Sequence, residues 1–242
     1  MTRAKKILIV NADDFGRSPG VNDGVAATHE QGIVTSASLM VRRPAAEQAA
    51  AYALRHPRLS LGLHVDLGEW VHRDGRWQAV EEVADPPGAE IAEQLARFRA
   101  LVGRDPTHLD SHQHVHREQP VASLMEALAL ELGIPLRGRD AEVRFCGDFY
   151  GQTATGEPLL EAISVRALLR LLGDLAWGIT ELGCHPGIDT ELDFPYGRER
   201  SVEAQTLCDT QVRAALAANG IDTCSFADIS RNQPAGPAGR RG

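Results

Sequence analysis

No apolar run in this 242-residue chain approaches the roughly 20 residues that a membrane-crossing helix requires, which argues against insertion into a bilayer. Basic residues are in deficit: 25 Lys and Arg stand against 33 Asp and Glu, for a formal net charge of -8. That balance opposes a nucleic-acid partner or an anionic membrane surface. Cysteine is sparse, and Cys146, Cys184, Cys208 and Cys224 are far apart with no CxxC pair. They read as structural thiols rather than zinc ligands or a disulfide frame. A GxGxxG turn and a Walker sequence are both missing, and with them the usual phosphate-loop signatures. No internal repeat is visible. Met1 to Lys6 leads straight into an apolar strand without the apolar core of a signal peptide, so a cytoplasmic protein is expected.

What is present is ordinary for a globular enzyme: 43% hydrophobic and 24% charged residues. Ile7-Leu8-Ile9-Val10 is a short β-branched run suited to a strand buried on both faces. Ser18 is a helix N-cap and Pro19 a first helical residue, for a helix reaching Gln31. Further strands are expected at Ser36–Val41, Leu59–Leu67, Thr107–Val115, within Leu136–Tyr150, at Ile179–Cys184 and at Ile221–Phe226. Helices are expected at Pro44–His56, Ala89–Val102, Glu118–Leu132, Val165–Leu175 and Ser201–Ala218. Asp66–Gly88 lacks periodicity and reads as a long loop holding Trp70, His72 and Trp77. Alternating strands and helices predict parallel βαβ units: a single-domain modified (β/α) barrel of six to seven parallel strands over residues 1–230. The Pro/Gly/Arg-rich segment 231–242 reads as a disordered tail.

A barrel is favoured over an open doubly wound sheet because polar residues collect at the C-terminal ends of four different strands. They are Asp13-Asp14, His64, the group around Asp110 and His112, and His185. The densest stretch is His108 to His116, which holds four of the nine histidines. In an extended strand, His108, Asp110, His112, His114 and His116 would all share one face. Each cluster alone has a plain structural reading, as a helix cap, a core histidine or a turn. Together they are a site. A carboxylate with two neutral imidazoles is an open ligand set for a divalent ion, which acidifies a water. A second carboxylate takes that water's proton, and another histidine protonates the leaving group. This is a hydrolase template for a carbonyl or phosphoryl centre.

Asn11-Ala12-Asp13-Asp14-Phe15-Gly16, Gly62-Leu63-His64, Thr107-His108-Leu109-Asp110-Ser111-His112 and Cys184-His185-Pro186-Gly187, in this order, resemble the YdjC-like carbohydrate deacetylases over about Lys6 to Ile229. The resemblance implies a modified barrel and metal-dependent removal of N-acetyl groups from amino sugars, oligosaccharides or their conjugates. It implies Asp14, His64 and His112 as metal ligands, Asp13 as general base and His185 as the acid for the departing amine. The two aspartates are interchangeable at this stage, and His114 either joins or replaces His112. Asp110, His114 and His116 become supporting or pocket residues, and Trp70, Trp77 and Tyr150 become candidate sugar contacts. Arg17 reads as an exposed salt-bridge residue or an anion contact. The cofactor is one divalent ion, magnesium or zinc, with two imidazoles favouring zinc. The expected partners are a small carbohydrate and, in a homodimer, a second copy of the chain. Two competing readings are another single-metal hydrolase such as a phosphoesterase and a catalytically silent metal- or sugar-binding protein. The first would call for more carboxylates than His64 and His112 leave room for.

Overall fold

A computed structural model of the chain describes residues 5–80, 86–188 and 196–230. The first half contains β1 (Lys6–Phe15), α1 (Pro19–Glu30), β2 (Ser36–Leu39), α2 (Ala46–Arg55) and β3 (Ser60–Val65). A hairpin of β4 (Trp70–Arg73) and β5 (Arg76–Ala79) follows, then α3 (Pro87–Val102), β6 (Leu109–Ser111) and α4 (Val121–Leu132). The second half contains β7 (Val143–Cys146), α5 (Val165–Gly173), β8 (Gly178–Cys184), α6 (Gly197–Cys208), α7 (Thr210–Ala218), β9 (Ile221–Thr223) and α8 (Phe226–Ser230).

Seven strands form one sheet in the order β6-β3-β2-β1-β8-β7, with β9 also pairing β1. Every pairing in it is parallel. The expected curled parallel barrel is therefore the fold. Its central strand is β1, whose Leu8–Val10 run is buried because helices cover the outside while other side chains fill the inside. Strands β6 and β7 end the order, which leaves a seam between them. Pro135–Arg137 partly fills it. Leu109 N–H donates to Pro135 O at 2.9 Å and Arg137 N–H to Leu109 O at 3.0 Å.

The N-terminal mouth of the barrel is closed by α8. Phe226 packs with Ile9 and Val143, and its ring stacks on His108 at 3.9 Å. Ser36 and Ser60, the first residues of β2 and β3, accept from Phe226 N–H and Ala227 N–H. Gly62 belongs to this lining, since a Cβ there would lie 2.4 Å from the His108 ring. His108 is thus interior packing, hydrogen-bonded to Ser38 Oγ at 3.0 Å.

Several boundaries differ from expectation, each for a physical reason. The histidine strand ends at Ser111, where its pairing with Val65 ends at the barrel rim. Without a partner strand the chain enters a 3-10 turn, His112–Arg117, in which Gln113 and His114 have φ of 49° and 57°. His112, His114 and His116 therefore do not share a face. The expected loop after β3 contains the hairpin β4–β5. Its turn, Asp74-Gly75, has φ of 53° and 76°, the left-handed pair that an Asp-Gly sequence favours. Residues 81–85 of that loop lie outside the described residues, as does the expected tail 231–242. The helix expected over Ser201–Ala218 starts earlier and is two helices, broken at Asp209, whose side chain caps α7 through Gln211 N–H. The last strand stops at Thr223, and Phe226 opens α8 instead.

Candidate functional site

The open C-terminal mouth of the barrel leads into a cavity of about 870 Å³ lined by Asp13, Asp14, His64, His112, His185 and Arg200 among others. Adjacent residues of a strand point to opposite faces, so Asp13 and Asp14 would separate if β1 stayed regular. Asp14 instead has φ of 62°, and the register with β2 shifts between Ala12 and Phe15. Aspartate tolerates this left-handed conformation better than most residues. Both carboxylates reach the cavity as a result.

Asp14 Oδ1 lies 3.4 Å from His64 Nε2 and 3.1 Å from His112 Nδ1, and ligand atoms of the three residues fall within 4.8 Å of one another. Asp14 Oδ2 accepts from Arg200, which also bonds His185 O. His64 Nδ1 bonds Asp110 Oδ1 at 2.7 Å, an arrangement that orients the ring and leaves Nε2 toward Asp14. His112 Nε2 is buried without a hydrogen-bond partner. A carboxylate and two imidazoles, one of them with an orphaned ring nitrogen, fit a divalent ion. Asp13, His64 and Asp110 form a second close group. There a cation is already in place, because Arg137 donates to both oxygens of Asp13 at 2.6 Å and lies 2.8 Å from Asp110 Oδ2.

Arg137 is the electrostatic keystone of the interior. Its side chain is buried, and it also holds Glu181 of β8 at 2.7 Å. One guanidinium thereby spans β1, β6 and β8 from the seam side. Burial raises the carboxylate pKa values, but Arg137 and His64 together outweigh it at Asp13 and Asp110, holding both below the usual range. At Glu181 burial wins, pushing its pKa to about 7. Burial likewise opposes ionisation of Asp14, but Arg200 and His112 hold its pKa well below normal.

His185, at the end of β8, places Nε2 3.7 Å from Asp13 Oδ2 and Nδ1 3.8 Å from Glu203 Oε1. Burial lowers its pKa to about 4, so the resting ring is neutral. Glu203 accepts from His185 N–H and from Tyr196 OH, and burial raises its pKa to about 8. Tyr150 stacks on Tyr196 at 4.8 Å and meets the His185 ring edge-on at 5.4 Å. Trp70 and Tyr150 both line the cavity, as do Trp77 and His114. His114 packs against Phe145 at 5.3 Å and stands outside the Asp14–His64–His112 group. His116 is fully buried and bonded to Ser111 Oγ at 2.6 Å, away from the cavity lining. Arg17 is buried, paired with Glu69 at 2.7 Å.

Arg137, Glu181, Arg200 and Glu203 were not singled out by sequence reasoning. Glu181 had a usable signal, a lone carboxylate inside the apolar strand Ile179–Cys184, which demands a buried counter-charge. Arg200 and Glu203, three apart on α6, resemble any surface helix pair.

In the metal-free site, burial lowers the His64 pKa, but Asp110, Asp14 and Asp13 outweigh it and raise the pKa to about 10. An ion entering the site must displace that proton. Zinc binding is therefore expected to release about one proton, with affinity rising about tenfold per pH unit from pH 7 to 9. Calorimetry in buffers of different ionisation enthalpy measures this, and zinc binding without proton release would contradict it.

Residues 7–218 match the family model described as YdjC-like protein. The chain is 35% identical to a chitooligosaccharide deacetylase of Serratia marcescens, with 93% of this chain and 100% of that protein covered. It is also 35% identical to a carbohydrate deacetylase of Geobacillus stearothermophilus, covering 93% and 98%. Among solved structures, a putative cellobiose-phosphate cleavage protein from Enterococcus faecalis superimposes with a TM-score of 0.76 at 27% identity, covering 93% of this chain and 99% of that one.

Proposed function

The chain belongs to the YdjC-like protein family, and from that premise we propose that it is a metal-dependent hydrolase removing the N-acetyl group from an amino sugar, an oligosaccharide or a sugar conjugate. The observation that carries the proposal is the placement of Asp14 Oδ1 against both His64 Nε2 and His112 Nδ1 at the floor of the cavity. Asp14, His64 and His112 hold one divalent ion, zinc by ligand softness and magnesium as the second candidate. When bound, it supplies the Lewis acidity that lets water lose a proton near neutral pH.

The remaining chemistry belongs to the chain. Asp13 accepts the proton of the attacking water, and the bidentate Arg137 fixes the orientation of its carboxylate. His185, 3.7 Å from Asp13, is neutral at rest and so can pick up that proton and deliver it to the departing amine. Glu203 and Tyr196 hold the His185 segment from behind. Tyr150, Trp70 and Trp77 wall the cavity above and offer aromatic faces to a sugar ring.

Because these groups come from Asp13 to Glu203, we take residues 1–230 as one catalytic domain. A cytoplasmic setting accords with four free cysteines. No helix among the described residues is long and apolar enough to cross a membrane. The test is acetate release by protein reloaded with zinc, cobalt, manganese or magnesium, offered N-acetylglucosamine oligomers and nucleotide sugars. Stoichiometric acetate from at least one substrate supports the proposal, and none across the panel overturns it.

A further inference from the structure

The hairpin β4–β5 is separate from the barrel sheet, yet it contributes Trp70, Val71, His72 and Trp77 to the cavity wall. Two links tie it to the candidate metal ligands. Glu69, just before β4, pairs with Arg17 at 2.7 Å and comes within 4.0 Å of His112 Nε2. The second link is Gln113. Trp70 N–H donates to Gln113 Oε1 at 2.9 Å, and Gln113 Nε2 donates to Trp70 O at 2.7 Å. A side-chain amide thus satisfies both backbone groups of one hairpin residue, as a neighbouring strand would.

Gln113 directly follows His112 in the chain, and Gln113 and His114 both hold left-handed φ, 49° and 57°. Two successive non-glycine residues in that conformation persist only where the surroundings restrain them. The bonds to Trp70 are such a restraint. Movement of the hairpin therefore reaches His112 through one residue.

We propose that Gln113 is a positioning residue that couples the aromatic hairpin to His112. An ion held by Asp14, His64 and His112 orders the hairpin, and a saccharide seated on the hairpin tightens the metal centre. The saccharide half rests on the deacetylase reading, whereas the coupling of hairpin to metal does not. Coupling is reciprocal, so whatever factor zinc exerts on hairpin order, hairpin order exerts on zinc affinity.

The test is hydrogen exchange of the full-length protein with and without zinc, in the absence of any saccharide. In the wild type, zinc is expected to slow exchange across residues 70–79 about fivefold, the size of one net hydrogen bond. In Gln113→Ala, zinc still binds but exchange of the hairpin is faster and its response to zinc is reduced to what the Glu69 link carries. Gln113→Glu keeps the acceptor for Trp70 N–H and loses the donor to Trp70 O, so it should fall between the two. A purely structural role would lower the melting temperature of Gln113→Ala with the zinc response intact, and that result overturns the proposal. Wild-type hairpin exchange unmoved by bound zinc overturns it as well. The deacetylase reading fails separately, on absent acetate release, which this experiment does not involve.

Discussion

Replacing Arg137 by methionine is expected to cost about 3–5 kcal/mol of stability, the range found when one partner of a buried ion pair is removed. Domains of this kind have only about 5–15 kcal/mol in total, so the variant should be largely unfolded at modest urea concentrations. The reason is the company Arg137 keeps. It is 3% exposed and is bonded to Asp13, Asp110 and Glu181, which lie on three strands of the same interior. Without the guanidinium, the buried carboxylates of Asp13 and Asp110 keep only the His64 imidazole as a cationic neighbour. Protonating them instead means raising pKa values that Arg137 now holds low. Arg137→Lys restores the charge without the fork geometry and should recover part of the loss. Urea denaturation followed by circular dichroism measures this. A stability of Arg137→Met within about 1 kcal/mol of wild type would remove Arg137 from the central role assigned to it.

Asp13→Asn is expected to lower kcat by about 10²–10⁴, the usual worth of a positioned general base, with zinc affinity little changed. The substitution keeps the shape of the side chain, and Arg137 retains Asp110 and Glu181 as partners. Asp13 neighbours His64 but is not a member of the Asp14–His64–His112 group, so the loss should fall on turnover rather than metal occupancy. Steady-state kinetics beside a chelator competition separate the two. Full turnover in Asp13→Asn would take the base role from Asp13, and lost zinc would exchange the roles of Asp13 and Asp14.

The parts of this architecture that were legible in the sequence are those set by local pattern. A β-branched run ending in Asn11-Ala12-Asp13-Asp14 can only be a buried strand delivering polar groups at its end, and β1 does so. His64 and His185 follow the same rule at β3 and β8. The stretch His108–His116 was misread because alternation holds only while a strand has a neighbour. The rim of the barrel ends that at Ser111, and the left-handed turn at Gln113 and His114 then sends His112 to the cavity and His116 into the interior. Asp74-Gly75 was a visible hairpin signal in a segment read as loop. Arg137 carried no signal, since nothing in Leu136-Arg137-Gly138 announces that a seam between β6 and β7 needs a cation. Its role exists only in three dimensions.

The central claim is that Asp14, His64 and His112 hold the ion that serves the reaction. Anomalous scattering at the zinc edge from crystals of zinc-loaded protein tests it directly. One peak enclosed by these three residues, absent from His64→Ala crystals, is the predicted result. A peak among Asp13, His64 and Asp110, or one that survives His64→Ala, would contradict it.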